Sequence, residues 1–173
     1  MHTKKEASEE ADIRLRDIVE SDLPIFFEQQ LDRVANHMAA FTSADPTDES
    51  VFRAHWARIL RDTAITKKTI TADSVVAGHI ASFTRGGERE VTYWIGKQYW
   101  GRGVATKALT ELLRQVPSRP LHARVAKDNF ASLRVLQKCG FVIVGEDKGF
   151  ANARGTETDE FILVLHGSSF RKG

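Results

Sequence analysis

The sequence contains a single cysteine, Cys139, among 173 residues. One cysteine excludes a disulfide framework within the chain and a zinc site built from several cysteines. Its neighbours Leu136, Gly140 and Phe141 predict a buried apolar thiol. The six histidines show neither the HxxxH nor the HxH spacing of metal ligands. We therefore expect no metal site and a reducing, cytoplasmic setting.

The sequence also lacks a long apolar run and an excess of one charge. No apolar run approaches the roughly 20 residues that span a bilayer, and 25 basic against 23 acidic residues leave a net charge of +2. This balance argues against a nucleic acid or a membrane surface as partner. The first residues, MHTKKEASEEAD, are polar and lack the apolar core that a secretion signal requires. At this length we expect one domain, over 12–166, between a flexible arm at 1–11 and a polar tail at 167–173.

Apolar periodicity predicts a mixed α/β domain of the α+β type, in the order β, α, α, β, β, β, α, β, α, β, β. The first helix runs from Ser21 or Asp22 to about Ala39, and the second starts near Asp48 or Glu49. The later pattern predicts strands at 64–71, 75–83, 90–95, 121–125, 141–144 and 160–165, helices at 104–116 and about 129–139, and a polar connection at 146–159. Hairpin-length links indicate a mainly antiparallel sheet of about six to seven strands flanked by about four helices.

A glycine-rich turn connects the strand that ends at Ile95 to the helix that begins at Val104. The first turn of a helix carries unpaired N–H groups and a partial positive charge, and glycines let an anion approach the backbone. We interpret this turn as a pyrophosphate site. It is no Walker loop, because the glycine-lysine-hydroxyl ending is missing, and it lacks the third glycine of a dinucleotide fingerprint.

A second segment, from Asn129 through Ser132 to Gly140-Phe141, makes the interpretation of the glycine-rich turn more specific. Together, Tyr-Trp-Gly-Arg-Gly-Val-Ala and Asn-x-x-Ser…Gly-Phe resemble the GNAT superfamily of acetyl-CoA-dependent N-acetyltransferases. Most GNAT sequences have Gln or Arg where this chain has Trp100. Tryptophan there is similar to the branch that acetylates ribosomal-protein N-termini. The resemblance implies a GNAT-like fold and acetyl-CoA as the acetyl donor.

The resemblance also assigns cofactor contacts to the two halves of the first segment. Backbone N–H groups in the turn would hold the pyrophosphate, from Gly101, Arg102, Gly103, Val104, Ala105 and Thr106. The backbone of Trp94, Ile95 and Gly96 would pair with pantetheine, since an amide-bearing arm can add to an unpaired strand edge. The Arg102 side chain would add charge to a phosphate or would remain solvent-exposed.

Amine attack on the thioester requires a base, donors for the developing oxyanion, an acid for the thiolate, and alignment. In much of the superfamily a tyrosine supplies the acid, but the matching position here is Leu136. In the similar branch a serine is the thiolate partner, which points to Ser132. The resemblance implies that Ser132 and Asn129, one helical turn before it, both contact the cofactor. Helix capping is the alternative role for this pair.

The resemblance points to Glu90 as the base, acting through a water, whereas the alternative is a surface charge beside Glu88 and Arg89. Tyr93 and His79 are further candidates for the base, although a histidine in this apolar setting is more often a packed core residue.

The acceptor site should form from the first two helices, the loop Thr42–Asp48 and the segment Glu146–Asp159. The acceptor is a protein N-terminus, a small amine such as an antibiotic, or an amino acid. The predicted function is N-acetyl transfer by a monomer or homodimer. The alternative is a non-catalytic acyl-CoA-binding or sensing module on the same fold.

Overall fold

The computed structural model describes residues 10–167. Its seven strands and five α-helices are β1 (Ile13–Arg16), α1 (Leu23–Gln30), α2 (Arg33–Ala39), α3 (Glu49–Arg61), β2 (Thr66–Ala72), β3 (Val75–Arg85), β4 (Glu88–Ile95), α4 (Val104–Gln115), β5 (Leu121–Ala126), α5 (Phe130–Lys138), β6 (Val142–Ala151) and β7 (Thr156–Leu165). Most of the predicted arm and tail, 1–9 and 168–173, lies outside the described residues.

The strands form one sheet of seven in the order β1-β2-β3-β4-β5-β7-β6. Every neighbouring pair is antiparallel except β4 and β5, which are parallel and joined through α4. The predicted mixed, mainly antiparallel sheet is therefore confirmed. Five α-helices flank it, one more than the approximate number expected.

The parallel neighbours β4 and β5 separate almost as soon as they meet. Their register holds at one pair, Glu90 and His122, whereas β4 remains paired with β3 as far as Ile95. The part of β4 beyond Glu90 therefore has an open side that faces β5. We call this opening the strand gap.

Hydrophobic clusters cover both faces of the sheet. On one face, α4 and α5 bury a large cluster that includes Leu109, Leu112 and Leu136. On the other, α1 and α3 contribute a smaller cluster of Leu23, Phe26, Phe52 and Trp56. The helices thus hold the sheet from opposite sides, and α4 and α5 contact β4 and β5, the two strands that border the strand gap.

His79 belongs to the smaller aromatic cluster. Its ring centroid lies 4.7 Å from that of Phe26 and 4.9 Å from that of Trp56. Burial, with a smaller effect from His55, lowers the pKa of His79 to about 3. The core interpretation of this histidine is confirmed, and His79 is poorly suited to accept a proton.

The structure corrects three sequence predictions. The first helix does not continue to Ala39, because the chain leaves the helix at Leu31 and Asp32 begins α2 by accepting a hydrogen bond from Ala35 N–H at 2.8 Å. The connection predicted at 146–159 is largely strand, since β6 and β7 form a long hairpin. β6 is an exposed edge strand, so it lacks the buried alternation that signals a strand. Cys139 is half-buried rather than buried.

Asp22 joins the start of α1 to the sheet through a buried carboxylate. It accepts hydrogen bonds from Arg16 at 2.7 and 2.9 Å, from Val19 N–H at 3.0 Å and from the Thr69 hydroxyl at 2.7 Å. Burial opposes ionisation, but these donors together lower the pKa of Asp22. The carboxylate therefore stabilises the fold as long as it remains charged.

We expect Asp22→Ala to lower the free energy of unfolding by about 3 kcal/mol or more, because it leaves the donors of Arg16 and Thr69 unpaired. Urea unfolding measures the loss. A folded pKa below the ordinary value means that this stabilisation is present above about pH 4 and declines as the pH falls further. Asp17→Ala, which removes an exposed pair with Lys68, is the control and should cost less than about 1 kcal/mol. Equal losses in the two variants would contradict the role given to Asp22.

Candidate active site

The open side of β4 presents backbone groups to the strand gap. Gly96 N–H donates to Ala77 O of β3 at 2.8 Å, and Gly96 O accepts from Tyr99 N–H at 2.9 Å. Backbone groups alternate sides along a strand, so those of Tyr93 and Ile95 face β5. Ile95 O accepts a hydrogen bond from the Trp100 indole at 2.9 Å. Of the residues assigned to pantetheine, only Ile95 lies on the open edge. The backbone of Trp94 faces β3, where it pairs with His79, and both backbone groups of Gly96 already have partners.

Gly78 allows β3 to approach β4 beside the strand gap. A β-carbon built on Gly78 would lie 2.0 Å from the carbonyl oxygen of Trp94. Any side chain there would push the two strands apart. Sequence reasoning missed this position, because a glycine within a strand gives no indication of which neighbour it accommodates.

The glycine-rich turn leaves room beside its backbone. Gly101 and Gly103 both have φ of +73°, and no heavy atom lies within 4 Å of a β-carbon built on either. The first backbone bond of α4 runs from Lys107 N–H to Gly103 O at 3.1 Å. The N–H groups that precede it have no acceptor within the helix, and the helix dipole adds partial positive charge. With Arg102 exposed in the same turn, the geometry suits a phosphate group.

A pair of hydroxyl groups joins β4 to α5. Tyr93 Oη lies 2.6 Å from Ser132 Oγ. Burial raises the pKa of Tyr93 to about 12, although the bond to Ser132 opposes the rise. The phenol is therefore protonated at neutral pH, so it is able to donate a hydrogen bond to Ser132 Oγ and is poorly suited to act as the base. Leu136, at the position of the superfamily tyrosine, is buried in the core.

Asn129 caps α5 and also ties it to α2. Its Oδ1 accepts from Ser132 N–H at 3.3 Å, and its Nδ2 donates to Met38 O at 3.2 Å. Their spacing of one helical turn therefore brings Asn129 and Ser132 into contact, but their side chains have different partners. Asn129 has the capping role, whereas the Ser132 hydroxyl contacts Tyr93.

Glu90 is a buried carboxylate at the closed end of the strand gap. Only 7% of the residue is exposed, so the alternative of a surface charge is wrong. Its Oε1 lies 3.1 Å from Arg85 Nη2 and 3.7 Å from Arg124 Nε. Arg124 also holds Glu160 at 2.7 Å. Because side chains alternate along a strand, Glu90 and Tyr93 lie on opposite faces of the sheet. Proton acceptance by Glu90 remains a prediction.

A pocket of about 420 Å³ opens between α2, the loop before α3 and the turn between β6 and β7. Its polar lining includes Arg33, Asn36, His37, Thr42 and Asn152. We call it the α2 pocket. It lies in the region expected for the acceptor. The aromatic residues of the neighbouring helices, Phe26, Phe52 and Trp56, pack in the core.

Within residues 10–167, no group of three or more His, Cys, Asp or Glu side chains is arranged to hold a metal ion. None of the helices in this part of the chain has the length and apolar character needed to cross a membrane.

Comparisons with known proteins agree on the fold. The family model described as an acetyltransferase (GNAT) domain matches residues 12–142. Spermidine N-acetyltransferase from Vibrio cholerae, in complex with CoA and spermine, is 16% identical with a TM-score of 0.77, covering 90% of this chain and 96% of that one. Mycobacterium smegmatis RimJ, in complex with CoA-disulfide, is 21% identical with a TM-score of 0.74, covering 93% of this chain and 85% of that one. Ribosomal-protein-alanine N-acetyltransferase from Brucella melitensis is 18% identical with a TM-score of 0.73, covering 89% and 99%. No curated protein sequence matches the chain.

Proposed function

The chain belongs to the GNAT acetyltransferase family, and from this premise we propose that it transfers the acetyl group of acetyl-CoA directly to a primary amine. The observation that carries the proposal is the strand gap, bordered by a glycine-rich turn at the end of β4 and by the Tyr93–Ser132 pair. An extended thioester arm fits along such an edge, with its phosphates at the turn.

The described residues fit this donor. The turn from Gly101 to Thr106 offers backbone N–H groups and free space to a pyrophosphate. The open edge at Tyr93 and Ile95 offers strand-like pairing to the amides of pantetheine. The Trp100 indole, bonded to Ile95 O, holds the turn against this edge. Acetyl-CoA supplies an activated acyl group, and the protein must position it and manage two protons.

We assign these proton-handling roles to opposite faces of the sheet. Ser132 stabilises the departing thiolate by donating a hydrogen bond, and Tyr93 holds the Ser132 hydroxyl in place. Glu90, on the other face, takes the ammonium proton through a water. Direct transfer needs no nucleophilic side chain on the enzyme, because the amine itself attacks once it has lost its first proton. As the C–N bond forms and the C–S bond breaks, the nitrogen loses a second proton, which neutralises the departing thiolate. The acceptor is a protein N-terminus or a small amine that enters from the side of the α2 pocket.

The test is release of free thiol from acetyl-CoA in the presence of a panel of amines and peptides. We expect thiol release that depends on one class of amine, together with mass-spectrometric detection of the acetylated product. CoA binding without turnover on any amine would contradict the proposal and favour the acyl-CoA sensor, which the leucine at position 136 also favours. Stabilisation against heat by ATP or NAD, but not by CoA, would contradict both.

A further inference from the structure

The charge of the α2 pocket is one-sided. Arg33 and His37 line it, and no Asp or Glu is among the lining residues in the described part of the chain. Arg33 is exposed and takes part in none of the ion pairs formed between residues 10–167. Its guanidinium group is therefore available to a ligand that reaches the pocket.

The acidic residues near the α2 pocket already have partners. Asp32 caps α2 and lies 3.9 Å from Lys97. Asp45 accepts bonds from the backbone and hydroxyl of Thr47 at 2.9 and 2.6 Å. Asp128 pairs with Arg154 at 2.7 Å. Asp32 and Asp128 thus lie beside cationic partners, and none of the three carboxylates lines the pocket, which therefore offers no direct acidic contact to a polycation.

Two buried donors beside the pocket have no partner among the described residues. One is the hydroxyl of Thr42, a residue that lines the pocket, and the other is Nη2 of Arg154, which follows the lining residues Asn152 and Ala153 in the chain. Only 10% of the Arg154 side chain is exposed, and its Nε donates to His37 O at 2.9 Å. A buried donor without a partner is costly, and ligand oxygens relieve that cost. Charge-assisted bonds to an oxyanion are the strongest of this type.

One residue connects α2, which forms a wall of the pocket, to the proposed reaction centre. Asn129 binds Met38 at the end of α2 through one side-chain atom and Ser132 N–H through the other. α2 also begins next to α1, whose Gln29 donates to Ala77 O beside the end of β4. These two side chains therefore tie α2 and α1 to the elements on both borders of the strand gap.

Resting on the acetyl transfer proposed above, we propose that the acceptor is an amine that carries a carboxylate, and that the α2 pocket binds this carboxylate through Arg33 and the Thr42 hydroxyl. The pocket volume of about 420 Å³ accommodates a small molecule of the amino-acid class. The proposal excludes polyamines as preferred acceptors.

The experiment compares each amino carboxylate with its own carboxamide. The full chain is given saturating acetyl-CoA and one amine at a time, and kcat/KM is measured for each amine. The amines are glycine, γ-aminobutyrate, ε-aminohexanoate and L-methionine, the carboxamide of each, and spermine. Amidation lowers the pKa of the nearby amine in the α-amino acids and so favours the carboxamide chemically. A preference for the carboxylate must then come from binding. We expect the best carboxylate to exceed its carboxamide about tenfold or more, the effect of one charge-assisted hydrogen bond.

Arg33→Glu should remove this preference and leave KM for acetyl-CoA unchanged. Arg58→Glu makes the same charge change on an exposed residue of α3 and should keep the preference. Three results would contradict the inference while acetylation itself persists. They are equal kcat/KM for carboxylate and carboxamide, a higher kcat/KM for spermine, and an equal loss of kcat/KM on carboxylate and carboxamide in Arg33→Glu. Absence of acetylation on any amine, with CoA still bound, would contradict the proposed function and the inference together.

Discussion

Gly103→Glu should abolish CoA binding, with the dissociation constant raised at least about 100-fold. Gly103 lies immediately before α4, where the backbone has a φ of +73° and no protein atom lies within 4 Å of a built β-carbon. A glutamate there places a carboxylate in the space assigned to the pyrophosphate, next to the N–H groups meant to bind it. Placing like charges together costs several kcal/mol, and each 1.4 kcal/mol is about tenfold in affinity. Isothermal titration with CoA measures the change directly.

Backbone strain must be separated from this charge effect, because any side chain at a left-handed position is unfavourable. Gly103→Asn is the first control, since asparagine tolerates this conformation and carries no charge. It should retain most of the affinity. Gly86→Glu is the second: Gly86, in the β3–β4 turn, has a φ of +58° and is equally uncrowded. It introduces the same residue far from the turn and should bind CoA normally. Unchanged CoA affinity in Gly103→Glu would remove the phosphate assignment.

The glycine-rich turn was predictable because its signals are local. The helix after it begins at Val104 as expected, since apolar residues recur at helical spacing and glycine ends the strand before it. The same holds for Asn129, whose side chain caps α5. Each depends on residues a few positions apart, so the pattern in the sequence and the contact in the fold coincide.

The rest of the site could not be predicted because it joins distant segments. Tyr93 and Ser132 are 39 positions apart, and their contact depends on how β4 and β5 diverge, for which the sequence has no local signature. The ionic surroundings of Glu90 likewise include Arg124 from the neighbouring strand. The α2 pocket combines three separate segments, and the break between α1 and α2 that shapes it was missed. An aspartate inside an apolar helical pattern does not by itself show that a second helix starts there.

Ser132→Ala should lower kcat by about 30- to 100-fold and leave the dissociation constant of CoA within about twofold, because the lost hydrogen bond is needed mainly when the thiolate departs. Removing one such donor typically costs 2–4 kcal/mol or less. The variant keeps the backbone N–H that Asn129 caps, and alanine is a good helix former. Its free energy of unfolding should therefore stay close to that of the parent chain. An equal loss in kcat and in CoA affinity would make Ser132 a binding residue.

Tyr93→Phe tests whether the phenol acts through Ser132. Alone it should lower kcat about tenfold, because Ser132 Oγ loses the partner that orients it at 2.6 Å. In the double variant Tyr93→Phe/Ser132→Ala, kcat should be no lower than in Ser132→Ala alone. A residue that acts only through another has no further effect on kcat once the other is removed. A pKa of about 12 keeps the phenol protonated over the working range, so Tyr93→Phe should lower the rate evenly from about pH 6 to 9. Additive losses in the double variant, or a shifted pH profile in Tyr93→Phe, would show that Tyr93 acts on the substrates directly. Proton transfer from Tyr93 would then replace positioning as its role.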